Sequence, residues 1–390
     1  MTALFDREAA VVMQTYGRSP VAFVAGEGSW LIDEAGERYL DFLTGLAVTS
    51  LGHANPAVAA AVNDQMSRLV HVSNLFYTEP MVELAEALTS RSGLDRVFFA
   101  NCGATANEAA IKLARRYGQA HFGPDRHRIV SLDDSFHGRT LATLAATGQP
   151  AKQATFQPLP PGFLQVPPGD VDALAYAVDE TVAAVMLETT QGEGGVRPLT
   201  EEYLQAVRRL CDEGGALLIV DDVQAGMGRT GTWFSWQQLG FAPDIATTAK
   251  ALANGLPIGV CMATDEAASA FQPGDHATTF GGGPVVCAAA LAVIDEIESR
   301  DLLGNCRERS AQLMGRLADL PGVKAVRGRG LLVAAQLEDE VAGAVARRAL
   351  TEQHLVVNAV RPDAVRLAPP LTVTAVEIDE AVERLAAALA

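Results

Sequence analysis

From about Asn55 onward the chain alternates between helix-patterned and strand-patterned stretches, and no other feature limits its fold as strongly. Residues 56–69, 79–90, 106–116 and 201–213 read as helices, and 97–100, 129–132, 183–188, 216–220, 244–249 and 258–263 as strands. That order predicts an α/β protein with a mainly parallel sheet covered by helices on both faces. The stretch Ala216-Leu217-Leu218-Ile219-Val220 is apolar without a break and ends in Asp221-Asp222. At 390 residues the chain is long enough to bury a large core and a smaller one.

The flanks read differently. Residues 6–15 pattern as a helix, followed by an antiparallel hairpin in which 22–25 and 29–33 flank Gly26-Glu27-Gly28 and a turn at Ala35-Gly36 leads into 38–43. After Gly281-Gly282-Gly283 a long helix from Pro284 to about Glu298 leads into a C-terminal part with strands at 324–328 and 331–335 and a closing helix at 379–389. The proline-rich stretch from Gln157 to Gly162 suits a surface connector.

An aspartate at one strand end and a lysine at a later strand end would both face the ligand crevice of a parallel sheet. Lys250 follows the short strand 244–249, and Asp221-Asp222 ends the apolar one. Such a pair suits an aldehyde cofactor of the pyridoxal phosphate kind, the amine forming a Schiff base and the carboxylate keeping a ring nitrogen protonated. A phosphate end is present too. Strand 97–100, the small-residue loop Asn101-Cys102-Gly103-Ala104-Thr105 and the following helix offer free backbone N–H groups and a positive dipole end to an anion. The loop lacks both the dinucleotide and the nucleoside-triphosphate glycine patterns. Gly226-Met227-Gly228-Arg229-Thr230-Gly231 fits a bare G-x-G-x-x-G but runs into Thr232-Trp233-Phe234 and opens no long helix, so it is read as no dinucleotide site.

Motifs along nearly the whole chain carry a family resemblance: Thr15-Tyr16-Gly17-Arg18, Leu51-Gly52-His53, His71-Val72-Ser73-Asn74, Phe136-His137-Gly138-Arg139-Thr140, Gln191-Gly192-Glu193-Gly194-Gly195, Leu256-Pro257-Ile258-Gly259, Thr279-Phe280-Gly281-Gly282 and Val365-Arg366-Leu367-Ala368-Pro369-Pro370. In this order they resemble the class III aminotransferases of the fold-type I pyridoxal-phosphate superfamily. The resemblance implies a large domain with a mainly parallel, seven-stranded-type sheet flanked by helices. It also implies a smaller α+β domain, with borders at 1–50 (joining the small domain), 51–283 and 284–390. The implied activity is transfer of the distal amine of N-acetylornithine, or of a close ω-amino acid, to 2-oxoglutarate, giving glutamate, in a homodimer with shared active sites. Ornithine, succinylornithine, 4-aminobutyrate or a diamine as donor, and a catalytically silent binding paralogue, are the alternatives.

Carried over residue by residue, the resemblance makes Lys250 the cofactor-linked base, Asp221 the partner of the pyridine nitrogen, and Gln224 the ligand of the ring hydroxyl. Phe136 beside His137 stacks on the ring, Cys102, Gly103 and Ala104 hold the phosphate, and Thr279 reaches it from the neighbouring subunit. Arg139 takes the donor carboxylate or the glutamate side-chain carboxylate, Arg366 takes the glutamate α-carboxylate, and Glu193 gates Arg366. Glu188 belongs behind the pocket wall and Tyr16 at the pocket mouth. Guanidinium forks bind carboxylates in a bidentate way, so two of them in one pocket select a dicarboxylic acid.

The chain departs from the family pattern at several positions. Cys102 replaces serine, Thr105 glutamate, Thr189-Thr190 Pro-Ile, Asp222 glutamate, Ala225 threonine and Gly283 asparagine, with Ala251 and Asn254 in a stretch that is usually glycine. The hydroxyl lost at 102 removes one phosphate hydrogen bond, about 1 kcal/mol. These changes suggest a specialised paralogue or a relaxed enzyme more than a dead one, because Lys250, Asp221, Gln224, Arg139, Glu193 and Arg366 are all present. Composition excludes other classes: the formal net charge of −17 opposes binding to a phosphate backbone. No apolar run nears the roughly 20 residues that cross a bilayer, and no signal-peptide pattern opens the chain, so a cytoplasmic location is expected. The five scattered cysteines, odd in number, fit neither a metal site nor a disulfide framework. Four read as core filler, and Cys102 as a packing substitute, not a nucleophile.

Overall fold

The computed structural model describes residues 2–390. Its centre is a seven-stranded sheet built from β4 (Arg96–Ala100), β5 (Arg128–Leu132), β6 (Phe163–Val166), β7 (Val182–Leu187), β8 (Leu217–Asp221), β9 (Ile245–Thr248) and β10 (Gly259–Ala263), in the order β4-β10-β9-β8-β7-β5-β6. β10 runs antiparallel to both neighbours, and the other pairs within the sheet are parallel. Six carboxyl ends therefore share one edge. Every residue of β7, β8, β9 and β10 is buried, which is why these strands are mostly apolar and show no alternating polar face.

The hairpin strands β1 (Phe23–Glu27), β2 (Trp30–Asp33) and β3 (Arg38–Asp41) form a separate sheet, completed by β13 (Leu355–Val356), which pairs with β3 in parallel. A third sheet has the order β11-β12-β15-β14, from β11 (Val323–Arg329), β12 (Leu332–Leu337), β14 (Asn358–Arg361) and β15 (Ala364–Leu367). Before β1 lies helix α1 (Thr2–Val11), whereas the sequence pattern places it at 6–15. The helix presents an almost wholly exposed surface, so no buried face fixes its limits.

Helix boundaries elsewhere follow their caps. In α2 (Pro56–Arg68) Pro56 occupies the first turn and the Asn55 side chain accepts from the N–H groups of Ala57 and Val58. α3 (Glu79–Ser92) ends at Gly93 in the left-handed region. α4 (Gly103–Phe122) begins three residues ahead of the sequence expectation, directly after the loop, and packs against β4, β7, β9 and β10. α5 (Glu201–Gly214) is capped by Thr200, and α6 (Pro284–Ser299) packs on α2 and α3. α7 (Leu302–Ala318) and α8 (Ala342–Thr351) cover the C-terminal strands; neither stands out in the sequence pattern. α9 (Ala375–Leu389) starts four residues early because Thr374 and Glu377 form a reciprocal capping box. Among the described residues no helix is long and apolar enough to cross a membrane. Four cysteines are buried and none is bonded to another; Cys102 is exposed.

Candidate active site

The shared carboxyl edge of the sheet opens onto a cavity of about 400 Å³. Five of the six carboxyl ends deliver a group. Cys102, Gly103 and Ala104 follow β4; Phe136, His137 and Arg139 follow β5; Glu188 follows β7; Asp221 closes β8; Lys250 follows β9. This is the crevice in which open α/β sheets hold their ligands.

The buried Asp221 carboxylate is held from three sides. Oδ2 accepts from Asn107 Nδ2 at 2.7 Å and lies 2.8 Å from His137 Nδ1, while Oδ1 accepts from Val223 N at 3.1 Å. Asn107 also donates to His137 O at 2.7 Å and accepts from Thr247 Oγ1 at 2.6 Å. His137, expected beside the cofactor, turns its Nδ1 to Asp221, and its Nε2 is buried without a partner. It orients the carboxylate. Sequence reasoning misses Asn107, although a lone amide among the alanines of a buried helix face is a readable signal.

Lys250 opens a tight 3₁₀ turn with φ +42°, in the left-handed region that a side-chain-bearing residue enters at a cost. Burial lowers its pKa; Glu193 opposes that shift and Arg366 adds to it. Glu188 Oε2 accepts from Phe136 N at 3.0 Å and Oε1 from Gly192 N at 3.3 Å. Burial pushes its carboxyl to about 7, against the pull of His137.

At the other wall Arg366, 1% exposed, donates through Nη1 to Glu193 Oε1 at 2.6 Å and to Gln224 Oε1 at 3.3 Å, and through Nε to Asn358 Oδ1 at 3.1 Å. Burial alone raises the Glu193 pKa, but Arg366, with Lys250 and Lys152, holds it below its ordinary value. Arg366 Nη2 and Gln224 Nε2 are buried without partners. Arg139 is exposed on the cavity wall, its guanidinium 5.7 Å from the Phe136 ring centroid.

Two expected residues lie elsewhere in the single chain. Tyr16 is 74% exposed under the Arg18 guanidinium and lines no part of this cavity. Its segment, 12–22, packs no apolar face against the core, so nothing draws the ring inward. Thr279 is exposed on a second groove of about 1020 Å³ along edge strand β4. Cys102 is also exposed, so it fills no packing space. The loop around it is organised by Thr105, whose Oγ1 accepts from Asn101 N at 3.1 Å and Cys102 N at 3.0 Å. The loop lies tight on β10: a Cβ at Gly259 would stand 2.2 Å from Cys102 O. Asp222 does not face the cavity. Its Oδ2 accepts from Ser235 N at 3.0 Å, Oδ1 has no partner, and burial pushes the carboxyl to about 7, with Ser235 opposing and Asp221 adding.

These groups fit pyridoxal phosphate. The N–H groups of Gly103 and Ala104 open a 20-residue helix, where the chain supplies no intrahelical acceptor, and both residues line the cavity. Asp221 supplies a carboxylate, Gln224 an unused buried donor and Lys250 an amine.

Residues 12–389 match the family model for aminotransferase class-III. An acetylornithine aminotransferase of Gloeobacter violaceus is 50% identical over 95% of this chain and 93% of its own length. One of Methanocaldococcus jannaschii is 44% identical over 97% and 96%. Among solved structures, N-acetylornithine aminotransferase from Stenotrophomonas maltophilia is 36% identical with a TM-score of 0.83, covering 96% of each chain. The ornithine aminotransferase of Toxoplasma gondii is 31% identical with a TM-score of 0.95, covering 99% of this chain and 94% of that one.

Proposed function

Because the chain belongs to the class III aminotransferases, which use pyridoxal phosphate, we propose that it moves the distal amino group of N-acetylornithine, or of a close ω-amino acid, to 2-oxoglutarate, yielding the semialdehyde and glutamate. The 2.6 Å contact between Glu193 and the buried Arg366 carries this reading. While the pair is closed, Arg366 is neutralised and a substrate bearing only a distal amine leaves no cation stranded beside it. When glutamate enters, its α-carboxylate takes the guanidinium fork, and Arg139 receives the second carboxylate.

Bound at this site, pyridoxal phosphate supplies an aldehyde to carry the amino group and a ring to take up the electron pair left by proton removal. Lys250 Nζ takes the proton from the substrate carbon and returns it. Burial lowers its pKa, which makes the free amine available as a base. Asp221, fixed by Asn107, His137 and the Val223 N–H, holds a proton at the ring nitrogen position. The N–H groups of Gly103 and Ala104 bind the phosphate, Gln224 Nε2 serves the ring hydroxyl, and Phe136 orients the ring face.

A homodimer is part of the same proposal. Leu75, Phe76, Tyr77 and Phe280 are each at least 65% exposed, an apolar patch that suits cover by a second copy, and the family resemblance has Thr279 reach the phosphate loop of that copy. We read the protein as cytoplasmic, with residues 1–50 and 284–390 as one small domain beside 51–283; the β3–β13 pairing supports that grouping. The test is a donor screen with 2-oxoglutarate, reading glutamate formation. N-acetylornithine should outperform ornithine, succinylornithine, 4-aminobutyrate and simple diamines; a better rate with any of these reassigns the donor.

A further inference from the structure

The loop that carries Glu193 is clamped from both sides. Gly194 O accepts from Arg361 Nε at 3.1 Å, and Gly195 O accepts from Arg327 Nε at 2.8 Å. Both arginines come from the C-terminal sheet, Arg327 on β11 and Arg361 on β14, the sheet that also carries Arg366 on β15. Arg361 is anchored in turn through Nη2 to Asp134 Oδ1, whose other oxygen accepts from Arg197 Nη1 at 2.9 Å. Arg327 is anchored through Nη1 to Gln336 Oε1 at 3.0 Å.

The glycines of the loop are necessary to this contact. Gly195 has φ +108°, and a Cβ there would sit 3.0 Å from Arg361 Cγ and 3.2 Å from Arg327 Nη2. A Cβ at Gly194 would meet Asp134 O at 2.9 Å, and Gly192 donates to Glu188 Oε1. Main chain on both sides of Glu193 is thus tied down, while its side chain alone remains partly exposed.

We infer that Arg361 and Arg327 are positioning residues that set the bias of the Glu193–Arg366 gate: by immobilising the loop backbone they hold Glu193 over Arg366 and so fix the preference between α-carboxylate and distal-amine substrates. This rests on the gate proposed above. Neither arginine lines the cavity. With the loop clamped, the carboxylate leaves Arg366 only by side-chain rotation. With it loosened, the open state gains population, and affinity for an α-carboxylate rises in proportion to that population.

The experiment measures glutarate binding to the holoenzyme by calorimetry, since this unreactive dicarboxylate spans the two carboxylate sites, together with the two half-reactions followed separately. Arg361→Met should tighten glutarate about fivefold to tenfold and shift the ratio of kcat/KM for glutamate over N-acetylornithine in the same direction. Arg327→Met is the second variant, should the first not fold, and should shift both in the same sense. Glu193→Gln alone should also tighten glutarate, and in that background Arg361→Met should add nothing, because the bias it sets acts only through Glu193. Equal losses in both half-reactions with unchanged glutarate affinity, or the same shift with and without Glu193, would overturn the inference. If Glu193→Gln itself changes neither quantity, the gate reading fails first.

Discussion

Replacing Asp222 by asparagine should make the protein more stable in mild alkali, relative to the parent, than in mild acid. The carboxyl is fully buried, one oxygen has no partner, and its pKa stands at about 7 against an ordinary value of 3.8. A raised folded-state pKa means that the folded protein holds the proton more tightly. The stability this contributes is complete below the unfolded value, falls as pH rises, and is gone above the folded value. The window is therefore 3.8 to about 7. About three pH units of displacement correspond to about 4 kcal/mol in total, of which about 3 kcal/mol is lost between about pH 5 and about pH 8. The substituted amide keeps an acceptor for Ser235 N and has no proton to lose. Urea unfolding of parent and Asp222→Asn at the two pH values gives a difference of differences in which titrating groups that do not interact with Asp222 cancel. A gain near the calculated size supports the protonated, buried carboxyl. A pH-independent difference would refute it, and would mean that water or a rearranged donor keeps Asp222 ionised.

Lys250→Ala should abolish transamination and the visible absorbance of the loaded protein, and borohydride reduction of the parent should leave the cofactor on the peptide containing Lys250; label on another lysine would remove it from its role. Asn107→Ala removes one charge-assisted hydrogen bond to Asp221, about 1.5–3 kcal/mol, so kcat should fall about tenfold to a hundredfold in single-turnover measurements. An unchanged kcat would show that His137 and Val223 hold the carboxylate unaided.

The large sheet is legible in the sequence because β7 to β10 are buried on both faces and carry mostly apolar residues, with Thr247 and Thr248 the polar part of β9. Lys250, Asp221, Glu193 and Arg366 announce themselves through their motifs and meet at one cavity or one ion pair. What stays hidden is of two kinds. The Arg327–Arg361 clamp depends on contacts across more than a hundred residues, which no local pattern encodes; Asn107 shows locally only as a lone amide among alanines, and its partner Asp221 is equally distant in the chain. Thr279 is assigned by resemblance to a place that needs a second subunit, and Tyr16 to a pocket mouth from which it stands apart, 74% exposed, in the single chain. The limits of α4 and α9 differ from the sequence expectation because a glycine and a threonine at helix starts read as loop until their caps are seen.

The parallel pairing of β3 with β13 joins Leu40 to Leu355, so the two strands of one sheet are separated by almost the whole chain. During synthesis at about 5–20 residues per second, the ribosome needs roughly 15–60 s to make the stretch between them. Throughout that interval β1, β2 and β3 can form their antiparallel ribbon, but β3 offers nascent chains an open edge of unpaired N–H and C=O groups. The hairpin that emerges first is thus among the last parts to be sealed, and slow translation or truncation before Leu355 exposes a strand edge competent to aggregate.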